Sequence, residues 1–147
     1  MLNLLNYLWL IYALLSAITA SLVAIFGKIG LKAVDPNTAT AIRSIVMSVF
    51  LFGVITVQGK LHLLPSIISN KKTFSFIVFS GLAGALSWLF YFLALKYGPV
   101  TKVAPIDKLS VVIAALLAIL FLGEKINTLN GIGIGFIAVG AIIVAIS

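Results

Sequence analysis

Three carboxylates, one histidine and no cysteine make up most of the reactive chemistry carried by these 147 residues. Asp107 and Lys108 are the two whose position most needs a reason. They follow Pro105 in the run Pro-Ile-Asp-Lys-Leu-Ser, about two helical turns inside a segment otherwise apolar enough to cross a bilayer. An ionisable group there costs about 2.5–3.5 kcal/mol on insertion scales, so it is usually paired, faces a bundle interior or meets a transported substrate. Adjacent helix positions diverge by about 100°, so Asp107 and Lys108 are expected to look to different neighbours rather than neutralise each other. In that arrangement Asp107 could exchange a proton and Lys108 could attract an anionic group. Pro105 has no amide to donate and frees the carbonyl of Thr101, which permits a kink beside the charges.

The other candidate chemistries are weaker. Asp35 and Glu124 stand at expected helix ends. His62 lies in a loop without partner ligands, so a surface role is favoured over metal binding. No nucleophile has a neighbouring base, and no acid pair suggests intramembrane hydrolysis; an enzyme is not expected, nor is a cofactor or a metal. Gly133-Ile-Gly135-Phe-Ile-Ala138 fits a loose dinucleotide pattern, but it sits in an apolar segment with no preceding strand. Gly131 and Gly135 read instead as a face of close helix approach.

Composition decides the class. With 63% hydrophobic and 9% charged residues, too few polar side chains exist to cover a water-soluble domain of this size. The chain is expected to be an all-α integral membrane protein whose surroundings are the lipid bilayer. Its net charge of +7 comes mostly from lysines beside apolar runs, where they meet lipid headgroups, so nucleic acid is not an expected partner.

The elements that must position Asp107 and Lys108 follow from the apolar runs and the punctuation between them. Five spans are expected, at about 4–27, 37–57, 74–95, 100–122 and 129–146, as one transmembrane domain filling 1–147. Asp35-Pro36 is a good cap and first-turn pair for the second span. Gln58 to Thr73 forms the longest loop, with a short interfacial segment around Leu61 to Ile68, and Gly98-Pro99 makes a tight turn before the fourth span. Tyr12, Ser16 and Thr19 share a stripe on the first helix; Ser80, Gly84, Ser87 and Tyr91 share one on the third; Asp107, Ser110, Ala114 and Ala118 share one on the fourth. The small residues of these stripes favour close packing over substrate contact. Trp88 and Tyr91 stand too near mid-span for interfacial anchors and either line a cavity or pack a core. Arg43, about two turns into the second span, is read as snorkelling to the near interface.

Crossing alternately, five spans place Lys60, Lys71, Lys72 and Lys125 on one side. Lys28, Lys32, Lys96 and Lys102 fall on the other, with Arg43 and Lys108 nearer to that second side. So even a distribution gives little instruction under the positive-inside rule. Insertion in both orientations is one consequence and would let two copies form the inverted arrangement used for alternating access. A single orientation, set by the long loop with its paired lysines, is the other.

The five-span layout, the run Pro105 to Ser110 and the run Phe-Leu-Gly-Glu-Lys from Phe121 to Lys125 resemble the EamA-type repeat of the drug/metabolite transporter superfamily. The resemblance extends over essentially the whole chain and is strongest to the short, single-repeat bacterial or archaeal branch. Larger members carry two inverted repeats and export amino acids or other small metabolites. The resemblance therefore implies an inner- or plasma-membrane secondary transporter of a small organic solute, an amino acid, metabolite or drug, working as an antiparallel homodimer or with a partner of the same size. It marks Pro105, Asp107, Lys108, Leu109, Ser110, Gly123 and Glu124 as signature positions. The expected cavity is lined by Tyr12, Ser16, Thr19, Ser87, Trp88 and Tyr91, with Asp107, Lys108 and Ser110 as binding or coupling residues and Pro105 and Gly98 as hinges. A non-transporting subunit of a larger complex and a lipid or polyprenyl carrier flippase are the competing readings.

Overall fold

Long apolar runs leave the backbone no water to bond, so they coil into helices that satisfy their own amides and carbonyls. The computed structural model describes residues 7–147, so the first residues of the expected first span lie outside the described part. The described residues are helical, without strands. The elements are α1 (Leu8–Gly30), α2 (Pro36–Val57), a 3₁₀ turn (Leu61–Leu63) leading into the short α3 (Leu64–Ser69), α4 (Lys71–Tyr97), α5 (Val100–Asp107), α6 (Leu109–Leu117) and α7 (Thr128–Ile146). A wide π-helical turn, Ala118–Leu122, continues α6. Among the described residues, five stretches are long and apolar enough to cross a membrane: α1, α2, α4, Val100–Leu122 and α7. Their outer faces are apolar too. Trp9, Phe50 and Phe121 are 69%, 69% and 80% exposed, which water would not tolerate over so much surface and hydrocarbon does.

Side-chain caps set where three of these helices begin. Asp35 accepts a hydrogen bond from the Thr38 amide at 2.8 Å and another from the Thr38 hydroxyl at 3.0 Å, while Pro36 fills a first-turn position that needs no donor. Asn70 accepts from the Thr73 amide at 3.1 Å, so α4 starts at Lys71, three residues before the expected Phe74. Asn127 accepts from the Asn130 amide at 2.7 Å and opens α7. The segment expected around Leu61 to Ile68 forms the 3₁₀ turn and α3.

The chain forms two compact units, one joining the residues up to Phe26 with Tyr97–Ser147, the other being Gly27–Lys96. In the first, α5 and α6 pack on α7. The expected fourth span is not one helix. Pro105 lies inside α5, and the ladder tightens three residues later, where the Lys108 amide donates to the Pro105 carbonyl at 3.1 Å and the Val111 amide to the Lys108 carbonyl at 3.0 Å. The missing proline donor and its clash with the preceding turn loosen the helix, and 3₁₀-type bonding reseals it at Lys108. At the far end, Gly123 takes φ +67° and ψ +21°, and both its amide and that of Glu124 turn back to the Ala118 carbonyl. Only glycine enters that left-handed region without a Cβ penalty, which gives Gly123 of the Leu-Gly-Glu run a structural reason.

In the second unit the ends of α1 and α4 are fastened reciprocally. Lys28 Nζ donates to the Leu95 carbonyl at 2.6 Å, and Lys96 Nζ donates to the carbonyls of Leu31 and Val34, each at 3.2 Å. Lys28 thereby serves a carbonyl in the last turn of α4, where the helix dipole favours positive charge, and Lys96 serves the turn that follows α1. Close approach occurs here as well: a Cβ on Gly27 would collide with the Phe92 ring. The glycines expected to make such contacts do not. A Cβ on Gly131 would only reach Ile126 at 3.9 Å, and one on Gly135 would meet open space.

Two tests follow from these ends. Gly123→Ala should destabilise the detergent-solubilised protein by about 1–2 kcal/mol, read from thermal unfolding followed by circular dichroism, because alanine must adopt positive φ. An unchanged midpoint would show that the turn relaxes at no cost. Asp35 is held below the ordinary carboxylate range, chiefly by the Thr38 amide and then by its hydroxyl. A depressed folded-state pKa means that the cap's contribution is complete above the unfolded pKa of about 3.9 and is lost as pH falls through the lower folded value. Unfolding of the native protein should therefore become easier over that acid range. Asp35→Asn, which caps without titrating, should show a flatter pH dependence there.

Candidate functional site

The nine residues expected to bind or couple are divided between the two units. Tyr12, Ser16, Thr19, Asp107, Lys108 and Ser110 belong to the first unit, and Ser87, Trp88 and Tyr91 to the second. In the first, Tyr12 is 67% exposed, and the Thr19 hydroxyl donates to its own helix, at 2.9 Å to the Leu15 carbonyl and 3.0 Å to that of Ser16. That hydroxyl is already engaged before any solute arrives.

Asp107 and Lys108 differ from the sequence expectation. Lys108 Nζ lies 3.3 Å from Asp107 Oδ2, an ion pair between neighbours in the chain. The 100° divergence holds for Cβ directions in an unbroken helix, whereas this pair sits where α5 ends. Four methylenes let the lysine curl back across the break. The pair stands about 12 Å from the start of a 23-residue span, so it lowers the cost of placing two charges at that depth. Both side chains remain partly open, 56% exposed for Lys108 and 35% for Asp107. Gly98, expected to be a hinge, lies in the bend between α4 and α5 with φ outside the left-handed region, and the irregularity in the span comes at Lys108.

In the second unit α2 and α4 enclose a groove of about 550 Å³. One wall is α2, with Asn37, Thr40, Ser44 and Ser48 recurring at helical spacing; the other is α4, where Gly81, Gly84 and Ala85 are too small to fill the space opposite Met47 and Leu51. The small stripe of α4 thus lines a groove rather than a closed seam. At one end Trp88, Tyr91 and Phe92 form an aromatic cluster. Trp88 meets Tyr91 edge-on at 5.7 Å and Phe92 in a stacked arrangement at 5.8 Å; Tyr91 meets Phe92 edge-on at 6.1 Å.

Arg43 completes this cluster. Its guanidinium carbon lies 3.7 Å from the centroid of the Trp88 ring and 4.9 Å from that of Phe92. The expected snorkelling gives way to stacking, because the ring face offers negative potential at the depth where the guanidinium already lies. The expectation for Arg43 is mainly structural and does not include the polar stripe of α2. The signal was available: Asn37, Thr40, Ser44 and Ser48 stand at i, i+3, i+7 and i+11, one face of one helix.

Comparison with known proteins gives this geometry a context. The sequence pattern of the EamA-like transporter family matches residues 7–146. The chain belongs to the EamA-like transporter family. It is 44% identical over 138 residues to a Sinorhizobium protein named "Uncharacterized transporter in cobO 3'region", covering 94% of this chain and 96% of that one. No solved structure matches the chain. Membership of this family makes it a membrane protein of a transporter family, whose members are generally not enzymes.

The stack should be measurable in stability. Trp88→Leu should cost about 1–2 kcal/mol beyond its packing loss, since the guanidinium then keeps only the more distant Phe92 ring, and Trp88→Phe should recover part of that. Detergent unfolding of the two variants decides it. Equal stabilities would mean that Arg43 draws nothing from the ring's charge distribution.

Proposed function

We propose that this EamA-like chain is a secondary transporter, an exporter of a small organic solute such as an amino acid, metabolite or drug. In this reading it resides in the cell's inner or plasma membrane and works there by alternating access as an antiparallel homodimer. The observation that carries the reading is the interrupted fourth span, α5 then Lys108 then α6, with an ion pair at the interruption. Irregular backbone and charge at membrane depth are tolerated where they line a cavity or are buried in protein, and discontinuous helices are where secondary transporters place substrate and ion sites.

The number of helices supports the dimer. Five spans make one repeat, and a pathway between inverted repeats needs two. The nearly balanced lysines remove the usual bias toward one orientation. Each copy acts as one transmembrane domain, and Asp107 supplies a proton-exchanging group whose charge Lys108 tunes. Tyr12, Ser16, Ser87, Trp88, Tyr91 and Ser110 contribute shape and hydrogen bonds to the solute, Thr19 contributes shape, and Pro105 and Gly98 contribute the bending.

Orientation is the decisive test, and the absence of native cysteine makes it clean. Ser66→Cys and Ser147→Cys variants should each label partially with an impermeant thiol reagent on intact cells and completely after lysis. Full labelling of one and none of the other would establish a single orientation and remove the antiparallel dimer. For coupling, Asp107→Asn should abolish or uncouple solute flux in proteoliposomes while leaving insertion intact. Flux unchanged in that variant would make the pair structural.

A further inference from the structure

Arg43 is the only arginine in the chain. It lies about 10 Å into α2, and it is the only ionisable residue among those lining the α2–α4 groove. Asp35, the carboxylate of the same unit, accepts from Thr38 instead. Among the described residues Arg43 makes no ion pair, and its contacts of note are the two aromatic rings.

At 3.7 Å the guanidinium carbon is in van der Waals contact with the face of the Trp88 ring, where the aromatic quadrupole stabilises the cation. A planar guanidinium carries five N–H donors in a fork, so a ring on one side leaves donors for a partner on another. A cation held in this way is committed in one direction and uncommitted in the others. Planar forked donors match a carboxylate two bonds at a time, and they do so best where water is sparse. The groove beyond is mostly apolar, with Gly81, Gly84 and Ala85 leaving room for a body of several carbons and Ser44 and Ser48 on the facing helix.

From this we infer that the α2–α4 groove is an organic-anion site. Arg43, braced on Trp88, takes the carboxylate of the solute, and the small-residue face of α4 accommodates its apolar part. The inference rests on the transporter reading for its physiological meaning, but the site itself can be tested without transport.

The first experiment uses the native protein. In detergent, phenylglyoxal modifies arginine, and with one arginine present the reaction is read as a single mass shift. Hippurate, an aromatic carboxylate, should slow that modification by about tenfold at about ten times its dissociation constant, and phenyltrimethylammonium, a cation of similar bulk, should not slow it. Protection by neither hippurate nor benzenesulfonate, or equal protection by the cation, would overturn the inference. Radiolabelled hippurate uptake into proteoliposomes then separates the two ideas. Arg43→Met should weaken half-saturation by about thirtyfold or more, and Arg43→Lys, which keeps the charge but not the forked plane, should fall between. Protection without uptake would keep the anion site and sink the transporter reading. Hippurate uptake indifferent to both substitutions would keep the transporter and sink the anion site.

Discussion

In hydrocarbon a polar group that finds no partner inside the protein has none, and most local features of this chain are answers to that constraint. Helix starts are answered by Asp35, Asn70 and Asn127, each accepting from an amide three residues on. Hydroxyls within the spans are answered by their own helices: Thr40 donates to the Pro36 carbonyl at 2.8 Å, Ser44 to Ala41 at 2.7 Å and Thr56 to Phe52 at 2.7 Å. Helix ends are answered by Lys28, whose ammonium group reaches the Leu95 carbonyl of α4, by Lys96, which reaches carbonyls of the turn after α1, and by the amides of Gly123 and Glu124, which share the Ala118 carbonyl. Read this way, Ser and Thr in a membrane helix are poor evidence of a polar cavity until their own carbonyls have been counted.

The same constraint explains what was legible in the sequence. Hydropathy fixes the number and approximate ends of spans because no other structure satisfies twenty apolar residues in lipid, and the Asp-Pro and Gly-Pro pairs mark two of the boundaries. The start of α4 at Lys71 was less visible, because an asparagine cap can hold two lysines in a first turn that hydropathy assigns to the loop. The break at Lys108 was half visible. Pro105 announced a disturbance, but the disturbance emerges three residues on, where the ladder changes from four-residue to three-residue spacing, and this displacement lets neighbouring charges meet. Helical geometry assumed through a proline gave the wrong answer for Asp107 and Lys108. Arg43 was missed for a different reason: its partner, Trp88, lies 45 positions away, on a helix whose aromatic residues are equally consistent with packing.

Two charged places therefore do different electrostatic work. Asp107 and Lys108 are opposite charges in contact, so they can remain at depth at reduced cost. Arg43 carries an uncompensated charge, stabilised by ring faces but not cancelled by them. A site that has to hold and release a charged solute needs the second kind of residue, since a charge already matched within the protein has little to offer an incoming ion.

Arginine rather than lysine at that position fits this division of labour. An ammonium over the Trp88 ring would spend its charge as a point, with the same three donors serving ring and ligand alike, whereas a planar guanidinium can lie against an indole and still offer a forked edge to a ligand. Bracing and binding then use different directions of one side chain, and the face contact restricts the rotamers that a ligand would otherwise have to freeze. Opposite it, α4 presents glycine and alanine, so the space an anion's body would occupy exists before the anion arrives. The groove sets a ring-braced cation beside a mostly apolar wall of small residues.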